Sequence, residues 1–333
     1  MTTVLVVGGG IAGWSAAWFA TRRGASVTLV DAGIDRASEL PIALVNPVRG
    51  RQGRVVARGI AGMRATFALV DALVAEGHAV VHGRGLFRPL PAGSADREAW
   101  ASRLPDDLRW RWHDEAPDAL GLVDAPATLE WPDAGWIAPR GLLDALARCG
   151  ARRVDGEAVR IDATSVELAS GERLGADRVV WCGGAWGASR LDRSPVHGEC
   201  ANDDGHYRPG SLVVAPGALS AEALAFGLYA VPLDRRHGID ADAMTILGPT
   251  REASRPTYPE GEVPPEAVDA LRTDIAAVLR APAALTPLWR GVRLSRLSSR
   301  AQAHLAGVDS ITALGSRGYL MAPLLAADWA ASL

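Results

Sequence analysis

The segment VLVVGGGIAGWSAAWFATRRGASVTLVD, residues 4–31, constrains the fold more than any other part of this chain. Residues 4–7 form a continuous apolar run dominated by valine. That is the composition of a strand covered on both faces, as in a parallel sheet. Residues 11–23 favour helix and contain no proline, and Gly24 stands where a capping glycine ends a helix. SVTLV, residues 26–30, reads as a second buried strand, closed by Asp31. The order strand, glycine turn, helix, strand is a βαβ unit. Its glycines Gly8, Gly10 and Gly13 fit the spacing G-x-G-x-x-G. Gly8 permits a tight turn, Gly10 a close approach of a pyrophosphate, and Gly13 close packing of helix on strand. Ile11 and Ala12 open the helix, where free N–H groups and the positive dipole end attract phosphate. Asp31, followed by Ala32, is positioned to accept hydrogen bonds from a ribose diol. The unit predicts a dinucleotide site.

Length and composition set the frame. A chain of 333 residues can build a large core and is expected to divide into two domains. With 48% hydrophobic and 22% charged residues it has an ordinary soluble composition. A net charge of −3 and a pI near 6.2 do not point to a polyanion binder. No apolar run reaches membrane-spanning length, and the N-terminus enters the first strand without room for a signal peptide. A cytoplasmic protein is expected. Cys149, Cys182 and Cys200 are odd in number and lack C-x-x-C spacing, so neither a disulfide framework nor a metal site is expected. All 35 basic residues are arginine. A lysine Schiff base is thereby excluded, and any anion must be held by guanidinium groups. Arginine-rich codon usage accounts for most of this bias.

Farther along, ASELPIALVNPVRGRQG (residues 37–53) is a loop, and residues 55–75 have helical periodicity. Residues 78–90 read as short strands and 94–103 as a short helix. A helix is expected over about 140–148, and a hairpin over 158–162 and 165–169. RVVWCGGAWG (178–187) is a further buried strand ending in a glycine turn. Residues 195–256 suggest an antiparallel sheet, 266–280 a helix, and 309–333 strand, glycine loop and helix. Strands of dinucleotide-binding type thus occur at the start, middle and end, with strand-rich inserts between them. This predicts an α/β fold in which a doubly wound, Rossmann-like domain interleaves with an antiparallel-sheet domain. The expected division is 1–45, 140–195 and 286–333 for the first, and 46–139 and 196–285 for the second.

That layout resembles the FAD-dependent D-amino acid oxidase and glycine oxidase superfamily. The opening βαβ unit is similar to its ADP-binding fingerprint, and ADRVVWCGGAW to its second flavin segment. WRGVR (Trp289–Arg293) is similar to its G-x-R motif, and LGSRGYLMAPLLA (Leu314–Ala326) to its closing flavin loop. AGWIAPRGLLDAL, SPVHGEC and the pair YAVP and TILGPTRE resemble further elements. LGSRGYLMAPLLA and ASELPIALVNP bring the chain nearest to the C-terminal oxidase domain of the bifunctional tRNA 5-methylaminomethyl-2-thiouridine biosynthesis enzymes. The chain departs from that pattern at Glu39–Ala43. It also carries Ser298 and Ala301 where the family has an aspartate and a proline after G-x-R.

The resemblance implies FAD as cofactor and an amine or amino acid as substrate. In such enzymes hydride passes from the carbon beside nitrogen to flavin N5, water hydrolyses the imine, and oxygen reoxidises the flavin. It assigns Arg293 as carboxylate anchor, with Tyr229 closing the pocket; an interdomain ion pair and an ordinary strand aromatic are the competing roles. It assigns cofactor contacts to Val159, Cys182, Gly183, Gly184, Gly315, Ser316, Arg317, Gly318, Tyr319 and Leu320, beside Gly8, Gly10, Ile11, Ala12, Gly13, Asp31 and Ala32. His113 and His197 are better read as structural or solvated than as bases. A tRNA substrate, with the arginine loop at 48–58 on phosphates, and a non-catalytic flavin-binding protein are the alternatives.

Overall fold

The computed structural model describes residues 1–50, 52–115, 118–123, 125–193, 206–237, 242–280, 282 and 284–333. The motif SPVHGEC, with His197 and Cys200, lies outside the described residues.

The βαβ unit forms as the residues dictate. Strand Thr3–Val7 leads through Gly8–Gly10 into helix Ile11–Arg22, and strand Ser26–Asp31 returns parallel to the first. Gly24 adopts φ +83°, its N–H donates to Thr21 O, and Ala25 N–H donates to Ala20 O. These two bonds satisfy carbonyls that the helix end leaves open, and only glycine takes that φ without strain.

Five parallel strands form the first sheet, in the order Asp309–Ser310, Arg178–Trp181, Thr3–Val7, Ser26–Asp31 and Arg152–Asp155. Alternation along Thr3–Val7 sorts its side chains to two faces. Val4 and Val6 pack with Trp14, Ala16 and Ala17 of the first helix. Leu5 and Val7 pack with Ile161, Val166 and Leu168 of a small three-stranded sheet. Both faces are covered, which is why the strand reads as an unbroken apolar run.

The second sheet has nine strands and is antiparallel except where Leu224 pairs parallel to Phe87. Its longest strand, Ala127–Ile137, is absent from the sequence reading, which found only the helix that follows. Pro132 and Gly135 look like turn residues. They sit where the register shifts between Arg84 and Leu86 of the partner strand, and a bulge tolerates proline.

Two segments belong elsewhere than the sequence divided them. Ala43–Val45 and Thr286–Leu294 were assigned to the nucleotide-binding half, yet both hydrogen-bond in the nine-stranded sheet. A short apolar strand carries no mark of which sheet will accept it. Conversely, helix Gly59–Ala75 packs on the last helix, Gly318–Ala330. A Cβ on Gly62 would lie 2.4 Å from Leu320 O, and Thr66 Oγ1 donates to Tyr319 O at 2.9 Å. Among the described residues no helix is long and apolar enough to cross a membrane.

Candidate functional site

The first strand is flanked on one side by Ser26–Asp31 and on the other by Arg178–Trp181. Its carboxyl end is therefore a topological switch point, where open α/β sheets form a crevice. A cleft opens there, lined by Gly8–Ala12, Asp31, Ala32 and Cys182–Ala185. Backbone sets its shape. A Cβ on Gly8 would stand 2.5 Å from Cys182 O, and one on Gly13 would stand 1.7 Å from Gly8 O. Neither contact is sterically allowed, so these positions require glycine.

Gly9 has a role that the spacing rule does not supply. Its N–H donates to Asp31 Oδ1 at 2.9 Å, and a Cβ there would meet Asp31 Cγ at 2.6 Å. The middle glycine of the run lets the acidic side chain fold over the turn. Arg36 pairs with the other oxygen, Oδ2, and also with Glu39. Ser38 Oγ accepts from Ile11 N–H at 3.0 Å, and Ser38 O accepts from Tyr319 Oη at 2.6 Å. The loop at 37–40 is thus pinned between the start of the first helix and the start of the last.

On the far side, Gly183, Gly184, Leu314, Gly315 and Gly318 line the same cleft. A Cβ on Gly184 would meet nothing within 4 Å, leaving open space beside the backbone. Cys182 is buried, which pushes its thiol up to about 12. It stays protonated and inert at neutral pH.

Other assigned cofactor residues lie away from the cleft wall. Val159 is 41% exposed in a register shift between Ala158 and Arg160, and Gly156 and Ala158 line the cleft in its place. Arg317 is exposed, with Nε donating to Leu314 O at 3.1 Å. Leu320 packs against the helix Gly59–Ala75, and Gly13 serves helix packing. Ser316 and Tyr319 line a second cavity.

That second cavity adjoins the first, sharing Ile11, Ser38, Arg293, Gly315 and Gly318. Leu44, Leu212, Tyr229 and Trp289 supply much of its wall. Arg293 Nη2 donates to Pro209 O at 3.1 Å, and no carboxylate pairs with it among the described residues. Burial lowers its pKa, with Arg208 adding to the effect and Tyr229 and Glu252 opposing it. Gly210 makes room for it, since a Cβ there would lie 2.4 Å from Arg293 Nη2. Tyr229 donates its hydroxyl to Ile42 O at 3.2 Å, and burial drives its pKa well above the usual value.

Arg49 and Arg88 also line this cavity, and the sequence reading nominated neither. In the sequence Arg49 is one of several arginines in the basic loop at 48–58. That loop splits, since Arg58 pairs with Asp328 in solvent and Arg54 is exposed. Arg88 is 4% exposed, lies 5.1 Å from the Trp100 ring centroid and donates to Gly50 O at 2.7 Å. Only its strand, flanked by Phe87 and Pro89, hinted at burial.

The departures after G-x-R also have a structural account. Ser298 is the N-cap of helix Ser299–His304, accepting from Ala301 N–H at 2.9 Å. It also donates to Asp192, whose other oxygen takes a 2.5 Å bond from Tyr207 Oη. Serine performs the capping that aspartate would perform.

The glycine-shaped cleft, the phosphate-ready helix start and the buried carboxylate beside it fit a flavin adenine dinucleotide. The chain matches the FAD dependent oxidoreductase family, DAO, over residues 3–333. It is 31% identical to the tRNA 5-methylaminomethyl-2-thiouridine biosynthesis bifunctional protein MnmC of Caulobacter vibrioides, over 99% of this chain and 54% of that protein. Its identity to the Idiomarina loihiensis protein of the same name is 27%, over 97% of this chain and 54% of the other. It therefore spans about half the length of these relatives. Glycine oxidase from Geobacillus kaustophilus superposes with a TM-score of 0.73 at 19% identity, covering 100% of this chain and 95% of that one. Iminodiacetate oxidase from Chelativorans sp. BNC1 gives 0.73 at 18% identity, covering 97% and 93%. At such identities the likeness shows the fold.

Proposed function

This chain belongs to the FAD dependent oxidoreductase family, DAO, and we propose that it oxidises the C–N bond of a small amine or amino acid bearing a carboxylate. The observation that carries this reading is Arg293. It faces a cavity contiguous with the cofactor cleft, is desolvated there, and has no carboxylate partner among the described residues.

Asp31 would hold the ribose, the amides at the start of helix Ile11–Arg22 the pyrophosphate, and Cys182–Gly184 with Leu314–Gly318 the flavin end. Bound FAD would supply the two-electron oxidation of the C–N bond, with water hydrolysing the imine product and oxygen as the final electron acceptor. The chain's own part is to bind and orient. Arg293 grips the substrate carboxylate with parallel N–H donors. Tyr229 walls the cavity and stays protonated, its hydroxyl committed to Ile42 O. Apolar walls and cationic side chains disfavour an ammonium ion, so the reactive neutral amine is the species the cavity accepts. No acid or base side chain is needed.

The test is an anaerobic visible spectrum of the purified protein, titrated with glycine, sarcosine and D-amino acids. Bleaching of flavin bands is expected. Folded protein that takes up no FAD would overturn the cofactor assignment. Flavin that no small amine reduces would favour the second reading, oxidation of a carboxymethylaminomethyl group on tRNA wobble uridine. The 31% identity to MnmC across nearly the whole chain supports that alternative.

A further inference from the structure

The cavity beside the cofactor cleft contains more positive charge than one carboxylate needs. Arg49, Arg88 and Arg293 all line it, and no aspartate or glutamate does so among its described lining residues. Arg49 uses two of its N–H donors on neutral acceptors, Ser316 O at 2.7 Å and Ser316 Oγ at 2.6 Å. It forms no ion pair among the described residues. Those two bonds aim the guanidinium without neutralising it. A charge removed from water without a counter-charge is expensive. The environment registers that cost: burial first, then repulsion by Arg293 and Arg317, brings Arg49 down to about 10. Arg293 repels Arg49, and neither pairs with a carboxylate among the described residues. They come from elements far apart in the chain, Val48–Arg49 and Thr286–Leu294, that the fold brings to one cavity.

Building on the amine-oxidase reading above, we propose that the substrate carries two acidic groups, one held by Arg293 and the second by Arg49. The second group is a carboxylate or a phosphate, since both suit a guanidinium fork. A single carboxylate would leave one half-buried guanidinium uncompensated. A second anion relieves both the desolvation and the mutual repulsion. Arg88, held by Gly50 O and set over Trp100, is committed within the protein and is not the contact.

The test uses the FAD-loaded protein and ligands that cannot be oxidised. Dicarboxylates of three to six carbons are each paired with their monoamide, which has the same length and one charge fewer. 3-Phosphonopropionate is the phosphate arm. Binding is read by calorimetry and by perturbation of the flavin spectrum. The best diacid should bind about tenfold or more tighter than its monoamide. In Arg49→Gln that preference should fall to about one, and Arg49→Lys should restore part of it. Arg293→Gln should weaken diacid and monoamide alike. Tightest binding by the phosphonate would place phosphate at Arg49, and tightest binding by a dicarboxylate would place carboxylate there. Equal affinity of diacid and monoamide in the unmutated protein overturns the proposal while leaving the amine-oxidase reading intact. A preference that survives Arg49→Gln also overturns it. Failure of every ligand to bind, together with flavin that no amine bleaches, overturns both.

Discussion

The two halves of the molecule make their sites from different materials. The cofactor cleft is shaped by the absence of side chains, at Gly8, Gly9 and Gly183, with Gly13 letting the helix close on the turn. The adjoining cavity is shaped by long side chains, Arg49, Arg293 and Tyr229, delivered from strands and loops far apart in the chain. A site made of backbone is local and tolerates no added atom. A site made of arginines is assembled at long range and can change its occupant without changing its fold.

Substitutions should separate these two designs. The largest effect is expected at Gly13→Val, because a Cβ there would overlap Gly8 O at 1.7 Å. The protein should lose FAD altogether, seen as a collapsed ratio of visible to ultraviolet absorbance, with most of it insoluble; a holoprotein retaining its flavin would break the comparison. Next is Arg293→Ala. Two charge-assisted bonds are worth about 1.5–3 kcal/mol each, so KM for a carboxylate substrate should rise about 100-fold or more while FAD content stays constant. An unchanged KM would remove Arg293 from the site.

Gly210→Val sharpens the contrast further. Its new Cβ would meet the guanidinium end of Arg293. A rise in KM of about tenfold, with little loss of stability, is expected from a guanidinium moved rather than removed. Comparing the thermal midpoint with KM in the same variant decides whether the glycine serves the arginine or the strand. Ser298→Ala should cost about 1 kcal/mol through the lost helix cap, read as a shift in chemical denaturation midpoint. At the small end, Arg58→Ala breaks an exposed pair with Asp328. It should change stability by no more than about 0.5 kcal/mol and leave affinity for substrate unaltered; a large loss of substrate affinity would reinstate the basic loop as a binding surface.

The cofactor half was legible because its information is local. Spacing alone predicted the turn and strand positions of Gly8, Gly10, Gly13 and Asp31, since a βαβ unit holds them within one short stretch. Even there, Gly9 and Ser38 needed coordinates, because their roles depend on what folds over them. The substrate half was far less legible. Arg293 was reached through its G-x-R motif, whereas Arg49 looked like one member of a solvated basic run. Nothing in the run distinguishes Arg49, half-buried and bonded to Ser316, from Arg58, paired at the surface with Asp328. Strand Ala127–Ile137 was missed because a proline at a bulge reads the same as a proline at a turn.

What the amino-acid sequence determined by itself was therefore the periodic and the steric. Apolar runs set the parallel strands, glycines set the turn and the helix packing, and an acid closed the second strand. These follow from contacts between near neighbours in the chain. Only the tertiary structure decided which sheet took Ala43–Val45 and Thr286–Leu294, and which arginines lost their water. Both outcomes depend on pairing between residues far apart in the chain, as where Arg49 meets Ser316. Burial of a charge is a property of everything packed around it, and no short segment encodes that.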